Sequence, residues 1–159
     1  MPFKVLMVCT GNICRSPSAA VMLSRHLKAA GLSEEVEVDS AGIEDFHIGE
    51  PPSSPAVRAA GARGYDLSRE KARQVGPRDF ETVDLILAMD SGHQRRLTAM
   101  RPKTSSSKIS LFLEVMPEAG TEVADPYYGT DDDYETMMDL LEAAMPAWVA
   151  SLQRDHLQP

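Results

Sequence analysis

Short apolar runs and longer stretches of helical periodicity alternate along the chain. Val5 to Val8 is an apolar run with no polar alternation, the pattern of a strand covered on both faces of a parallel sheet. A glycine-containing loop follows. Ser16-Pro17 then offers an N-cap and a first-turn proline, and Ala20, Leu23, Leu27 and Ala30 recur at helical spacing until Gly31. Val36 to Val38 reads as a second strand, Pro55 to Arg63 as a helix closed by Gly64, and Leu85 to Met89 as a buried strand after an acidic turn. A helix over Asp90 to Met100 and a fourth strand over Ile109 to Leu113 follow. Met137, Leu141, Met145, Trp148 and Leu152 share one face of a closing helix, which Pro146 is expected to kink or split. Strands alternating with helices at this spacing predict an α/β fold: a four-stranded parallel sheet between two helical layers, joined by right-handed crossovers. Gly42 to Ser54 and Met116 to Thr130 carry no periodicity, and loops of that length in a compact domain are usually functional or disordered. No repeat or linker divides the chain, so one domain over 1–159 is expected.

With 159 residues, 43% of them hydrophobic, the chain can close a core without metal or disulfide staples, and two cysteines cannot form a disulfide framework. Sixteen basic against 24 acidic side chains, a formal charge of −8, argue against a nucleic-acid or anionic-membrane partner, which would demand clustered Lys and Arg. The apolar run at the start is too short for a signal-peptide core or a membrane span. A soluble, reducing, cytoplasmic setting is the expectation.

The chemistry concentrates in Cys9-Thr10-Gly11-Asn12-Ile13-Cys14-Arg15-Ser16-Pro17, between the first strand and the first helix. A loop wrapping from a strand end into a helix N-terminus turns successive backbone N–H groups inward, an anion cradle reinforced by the helix dipole. That field favours the thiolate of Cys9 at its mouth. The planar fork of Arg15 suits two phosphoryl oxygens at once, as a lysine would not. Gly11 permits close approach or positive φ, Asn12 tolerates the left-handed region while bonding neighbouring backbone, and Ser16 is placed to cap the helix, to bond the thiolate, or both.

These residues resemble the signature of the low-molecular-weight protein tyrosine phosphatases: a cysteine, five residues, then arginine and serine, matched by Cys9, Arg15 and Ser16 with Gly11-Asn12-Ile13-Cys14 inside. Ser40-Ala41-Gly42 after the second strand and Asp125-Pro126-Tyr127-Tyr128 far downstream extend the resemblance over nearly the whole chain. It implies a flavodoxin-like sheet of order 2-1-3-4 and hydrolysis of phosphotyrosine through a phosphocysteine on Cys9. Arg15 and the amides of Thr10, Gly11, Asn12, Ile13, Cys14 and Ser16 would bind phosphate, with Asp125 as general acid and then general base. Phe46, Tyr127 and, more than Tyr127, Tyr128 would wall the pocket, with Ile13 favouring an aromatic phosphoester over phosphoarginine. Phe46 stands where many relatives carry Trp or Tyr, so stacking survives without the side-chain hydrogen bond. The implied partners are phosphotyrosine-containing proteins, with inorganic phosphate as product and inhibitor, and the expected state is a monomer or weak dimer. No cofactor or metal is implied, and the four histidines, His26, His47, His93 and His156, show no ligand spacing.

Other readings stand beside these. Asp125 before Pro126 is also a turn initiator. Cys14 is either a small buried hydrophobe or, as the family resemblance implies, a partner for a reversible disulfide with Cys9. His47 borders the site or is simply solvated. Asp131 to Asp133 reads as a helix start that complements the dipole. Three rival functions compete: a thioredoxin-coupled arsenate reductase, which shares this fold and cradle but needs cysteines downstream of Cys14 that the chain lacks; a phosphocarrier, which needs no Arg15 and Asp125 pair; and a phosphopeptide-binding module, which would survive loss of the Cys9 thiol.

Overall fold

The computed structural model describes residues 1–157 and contains one four-stranded sheet. Strand β1 (Phe3–Cys9) lies between β2 (Val36–Gly42) and β3 (Leu85–Ala88), and β4 (Lys108–Leu111) lies outside β3, so the order is β2-β1-β3-β4. Every pairing is parallel: Phe3 faces Val36, Cys9 faces Gly42, Val5 faces Leu85, and Leu85 faces Lys108. Alternation along β1 divides the core. Val5, Met7 and Cys9 point toward helices α1 (Arg15–Ala29), α2 (Ser54–Gly61) and α5 (Asp131–Asp155), whereas Leu6 and Val8 point toward α3 (Pro77–Thr82) and α4 (Ser91–Met100). The two central strands, β1 from Val5 onward and β3, are buried on both faces, which explains why they read as continuous apolar runs.

Several expected boundaries shift, each for an identifiable cause. Strand β2 continues past Val38 through Asp39-Ser40-Ala41-Gly42, where polar side chains ended the apolar run although the ladder to β1 goes on. The fourth strand stops at Leu111 instead of Leu113. Phe112–Val115 turns into a 3-10 helix, and the Phe112 carbonyl accepts the indole N–H of buried Trp148 at 2.8 Å. What looked like a mere acidic turn contains α3, started by the Asp79 carboxylate accepting from Gly76 N–H at 2.8 Å. Helix α2 ends at Gly61 rather than Arg63, and Gly64 then takes φ +86°. Ser16 does not cap α1: the helix begins at Arg15 with no side-chain cap, because the Ser16 hydroxyl is engaged beneath the loop. Helix α5 is not split by Pro146. Met145, Trp148 and Leu152 are buried around that exposed proline, and their packing outweighs one lost backbone bond. Among the described residues no helix is long and apolar enough to cross a membrane.

Candidate active site

Strand β1 delivers Cys9 to the carboxyl edge of the sheet, and five residues carry the chain from there into α1. The loop is bent by Asn12, at φ 60°, and held by its side chain. Asn12 Nδ2 donates to Ser16 Oγ at 2.8 Å and to Ser40 Oγ at 2.9 Å, and Oδ1 accepts from Arg73 N–H at 3.0 Å. From outside, Ile43, Glu44 and Ser53 donate backbone N–H groups to the carbonyls of Cys9, Thr10 and Ile13, each at 2.9 Å. With those carbonyls tied outward, the N–H groups of Thr10 to Cys14 meet no acceptor among the described residues. Gly11 does not need positive φ; its place depends on close approach, since a Cβ there would lie 2.8 Å from the His47 ring. Gly42 is equally constrained, because its Cβ would lie 2.8 Å from the Thr10 carbonyl oxygen and 3.0 Å from Gly11 C.

Cys9 is 3% exposed, with its sulfur 3.0 Å from Ser16 Oγ. Arg15, also 3% exposed, reaches under the loop from the first turn of α1. Its Nη1 donates to the Val123 carbonyl at 2.9 Å and to Asp90 Oδ2 at 3.2 Å; its Nη2 donates to Thr10 Oγ1 at 3.3 Å and stands 3.5 Å from Asp125 Oδ2. Its Nε is buried and finds no acceptor among the described residues. Asp90 caps α4 by accepting from His93 N–H at 2.8 Å. Burial works against the Asp90 carboxylate, but the His93 N–H, the His93 ring and Arg15 together hold its pKa below the ordinary carboxylate value. The His93 ring is 6% exposed, and its Nε2 lies 2.8 Å from Thr10 Oγ1. Burial pushes the His93 pKa below the ordinary imidazole value, against the opposing pull of Asp90.

The second long loop is pinned over this floor. Val123 N–H donates to the Met89 carbonyl at 2.8 Å, and Glu122 accepts from the backbone N–H and hydroxyl of Ser91. Asp125 follows, its side chain half-exposed. The Asp-Pro pair forms the expected turn, with Asp125 Oδ1 accepting from Tyr127 N–H at 3.1 Å, and Oδ2 faces Arg15. The cleft, about 140 Å³, is lined by Cys9, Thr10, Gly11, Ile13, Cys14, Arg15, Phe46, His47, Asp125, Tyr127 and Tyr128. Asn12 and Ser16 lie buried beneath it. Tyr127 packs 5.9 Å from the His47 ring, and Tyr128 meets Tyr127 edge-on at 4.7 Å but is 96% exposed, so Tyr127 is the more enclosed wall. A larger groove of about 670 Å³ lies at the other end of the sheet, between the starts of β3 and β4 and the end of α5, and contains no cysteine.

Cys9 and Cys14 are both free thiols. Cys14 Sγ lies 3.3 Å from Ser53 Oγ and 3.5 Å from the Tyr134 hydroxyl; burial pushes its pKa up despite those bonds. Burial and the bond to Cys14 likewise push the Tyr134 phenol up to about 12. Asp131 to Asp133 form the first turn of α5, where Asp133 accepts from Thr130 N–H at 2.7 Å. Sequence reasoning missed Asp90 and His93 as parts of the site. Asp90 carried only a helix-start signal, and a single histidine on an amphipathic helix gives no warning of what its ring will touch.

The arrangement defines a class: an α/β protein with an amide-lined anion cradle, containing a cysteine and an arginine, at the carboxyl edge of its sheet. The profile of the family described as low molecular weight phosphotyrosine protein phosphatase matches residues 4–158. A low molecular weight protein-tyrosine-phosphatase of Streptomyces coelicolor is 38% identical over 159 residues, covering 96% of this chain and 95% of the relative. The crystal structure of a protein tyrosine phosphatase from Entamoeba histolytica, with Hepes in its active site, superimposes with a TM-score of 0.90 at 33% identity, covering 95% of this chain and 97% of that one. A further structure, the YwlE arginine phosphatase in a cysteine-to-serine variant with a phosphorylated active-site serine, gives 0.87 at 26% identity, covering 98% and 99%. The chain belongs to the low molecular weight phosphotyrosine protein phosphatase family.

Proposed function

We propose that the protein is a protein-tyrosine phosphatase that hydrolyses phosphotyrosine in proteins, and small aryl phosphates, through a phosphocysteine on Cys9. The convergence on one cleft of Cys9 and Arg15 with Asp125, which lies more than a hundred residues downstream of both, carries this reading. The Cys9 thiolate attacks phosphorus in line, forming the S–P bond as the P–O bond to the phenol breaks. The loop amides, Arg15 Nε and the Arg15 fork hold the equatorial oxygens, so the buried N–H groups without protein acceptors are the ones that a phosphoryl group satisfies. Asp125 donates its proton to the leaving phenolate, whose conjugate acid has a pKa of about 10. As a carboxylate it then takes a proton from the water that attacks the phosphocysteine, releasing Cys9 and inorganic phosphate. Phosphate fits the same cradle, which makes it product and inhibitor together. The Ser16 hydroxyl, 3.0 Å from the sulfur, donates to the thiolate.

Ile13, Phe46, Tyr127 and Tyr128 offer apolar and aromatic surface to a phenyl ring. The likeness to an arginine phosphatase makes phosphoarginine the competing substrate, and the bulk of buried Ile13 beside the cradle favours the flat aromatic ester. The reading includes action as a monomer or weak dimer in the cytoplasm, without cofactor.

The test is initial-rate hydrolysis of a phosphotyrosine peptide in excess EDTA, for wild type and Cys9→Ser, with phosphoserine and phosphoarginine peptides as competitors. Turnover of phosphotyrosine by wild type alone is expected. Stable phosphate on Cys9 after exposure to a phosphodonor, with no turnover, would instead make the protein a carrier. Preferred turnover of phosphoarginine would overturn the substrate assignment.

A further inference from the structure

Of the two hydroxyls in the cradle, that of Ser16 lies under the Cys9 sulfur and that of Thr10 lies between two buried nitrogens. Arg15 Nη2 donates to Thr10 Oγ1 at 3.3 Å, and His93 Nε2 stands 2.8 Å from the same oxygen. Both partners are almost fully buried, His93 at 6% exposure and Arg15 at 3%, so neither finds a water substitute cheaply. A hydroxyl has one proton to give, and here one neighbour is obligatorily a donor. The hydroxyl oxygen could also accept twice, and the choice is made at the other ring nitrogen: Nδ1 faces the Asp90 carboxylate, which favours an N–H there over a lone pair, so the Thr10 hydroxyl accepts from Arg15 and donates to His93 Nε2. That makes Nε2 the acceptor and places the ring proton on Nδ1, 3.2 Å from Asp90 Oδ1, whose other oxygen pairs with Arg15 Nη1. The Nδ1–Asp90 contact lacks hydrogen-bond alignment and is electrostatic. Asp90, Thr10 and His93 thus form a closed loop around the guanidinium.

We propose that His93 is a positioning residue for Arg15: as a neutral Nδ1–H imidazole it orients the Thr10 hydroxyl so that its lone pair meets Arg15 Nη2, fixing the fork that binds the phosphoryl oxygens. Protonation of the ring turns Nε2 into a second donor aimed at Thr10 Oγ1. The hydroxyl must then turn its proton away, and Arg15 competes with an imidazolium for one oxygen. The charged groups facing the ring are Asp90 at the start of α4, Arg15 from the cradle, and Glu122 and Asp125 from the overlying loop. The three carboxylates favour the imidazolium, whereas burial and Arg15 oppose it. The switch therefore works in the acidic range, and the neutral form is the working one near pH 7.

This inference rests on the phosphatase reading only for its kinetic readouts; its first test does not need turnover. Nitrogen-15 NMR of the imidazole rings in the wild-type protein is expected to show His93 as the neutral Nδ1–H tautomer at pH 7.5. A neutral Nε2–H tautomer would overturn the proposal. The second test is a double-mutant cycle on kcat/KM. His93→Leu is expected to lower kcat/KM about tenfold, the worth of one buried hydrogen bond, and His93→Gln, whose amide oxygen can still accept from Thr10, to restore most of it. In a Thr10→Val background the His93→Leu change is expected to cost less than about twofold, because the relay is already broken. Equal costs in both backgrounds would mean that His93 only supports packing. Finally, the ratio of wild-type to His93→Gln kcat/KM, in which substrate ionisation cancels, is expected to fall across the pH range over which the His93 ring titrates by NMR. A flat or rising ratio over that range would overturn the switch.

Discussion

At the scale of single residues, the site is governed by which polar atoms find protein partners and which do not. Asn12 uses both ends of its amide to hold a left-handed bend, and Ser16 abandons the cap expected of it to sit under the Cys9 sulfur. Arg15 is satisfied at both terminal nitrogens and left open at Nε. Asp125 differs from all of these in being half-exposed, which suits a group that meets its partner only when a substrate is present. The mechanism predicts that Asp125→Ala slows phenyl phosphate esters on the order of a hundredfold, and esters of better leaving groups much less. Measurement of kcat across a leaving-group series checks this, and equal losses throughout would remove Asp125 from the role of general acid. The second cysteine lines the same cleft, where burial pushes the Cys14 pKa up and holds it as a thiol bonded to Ser53 and Tyr134.

At the scale of elements, the cradle is a product of strand pairing as much as of its own sequence. Register brings Gly42 at the end of β2 level with Cys9, and the loop after Cys9 folds back over that glycine. The atoms that a Cβ would strike there are backbone, not the movable end of a side chain. Gly42→Ala is expected to destabilise the fold by about 1–3 kcal/mol, as overpacking generally does, and to weaken phosphate inhibition in the fraction that folds. Urea unfolding and the inhibition constant for phosphate read the two effects separately. An unchanged constant in a destabilised variant would show that the loop absorbs the strain elsewhere. The same scale explains Pro146. A proline inside a helix costs a backbone bond, yet α5 carries buried side chains before and after it that pack on α1 and the sheet, and that packing keeps one continuous helix.

At the scale of the whole molecule, the ion pairs and buried imidazole of the site link its stability to pH. The folded-state pKa of His93 is depressed, so the unfolded chain binds a proton first as pH falls. Its stabilising contribution is complete above the ordinary imidazole value of 6.5 and is lost as pH falls toward the folded value. Asp90 is also depressed, so its contribution is present above the ordinary carboxylate value of 3.8 and is lost as pH falls through the folded one. As pH falls, the loss at His93 begins first. The difference in Tm between wild type and His93→Gln is therefore expected to shrink as pH falls from 7 to 5, and thermal melts at constant ionic strength check it. A difference that is constant over that range would mean that the ring titrates alike in the folded and unfolded chain.

The one-dimensional pattern was enough for the α/β class, because strands buried on both faces must be apolar throughout and helices beside them must be apolar on one face. It was enough for the cradle residues 9 to 16 as well, since a strand, a tight glycine-containing loop and a helix start are all local. What remained hidden depends on atoms brought together across long separations. The extension of β2 through Asp39 and Ser40 is dictated by the neighbouring strand, and the early end of β4 coincides with the bond from Trp148, 36 residues away, to Phe112. The motif around Asp125 was visible, but its approach to Arg15 was decided by the pinning of Val123 and Glu122 against the start of α4. Asp90 and His93 could enter the site only when β3 was laid beside β1, which puts the start of α4 next to the cradle. Periodicity reports whether a side chain faces inward; only the tertiary structure decides which polar atom it meets there.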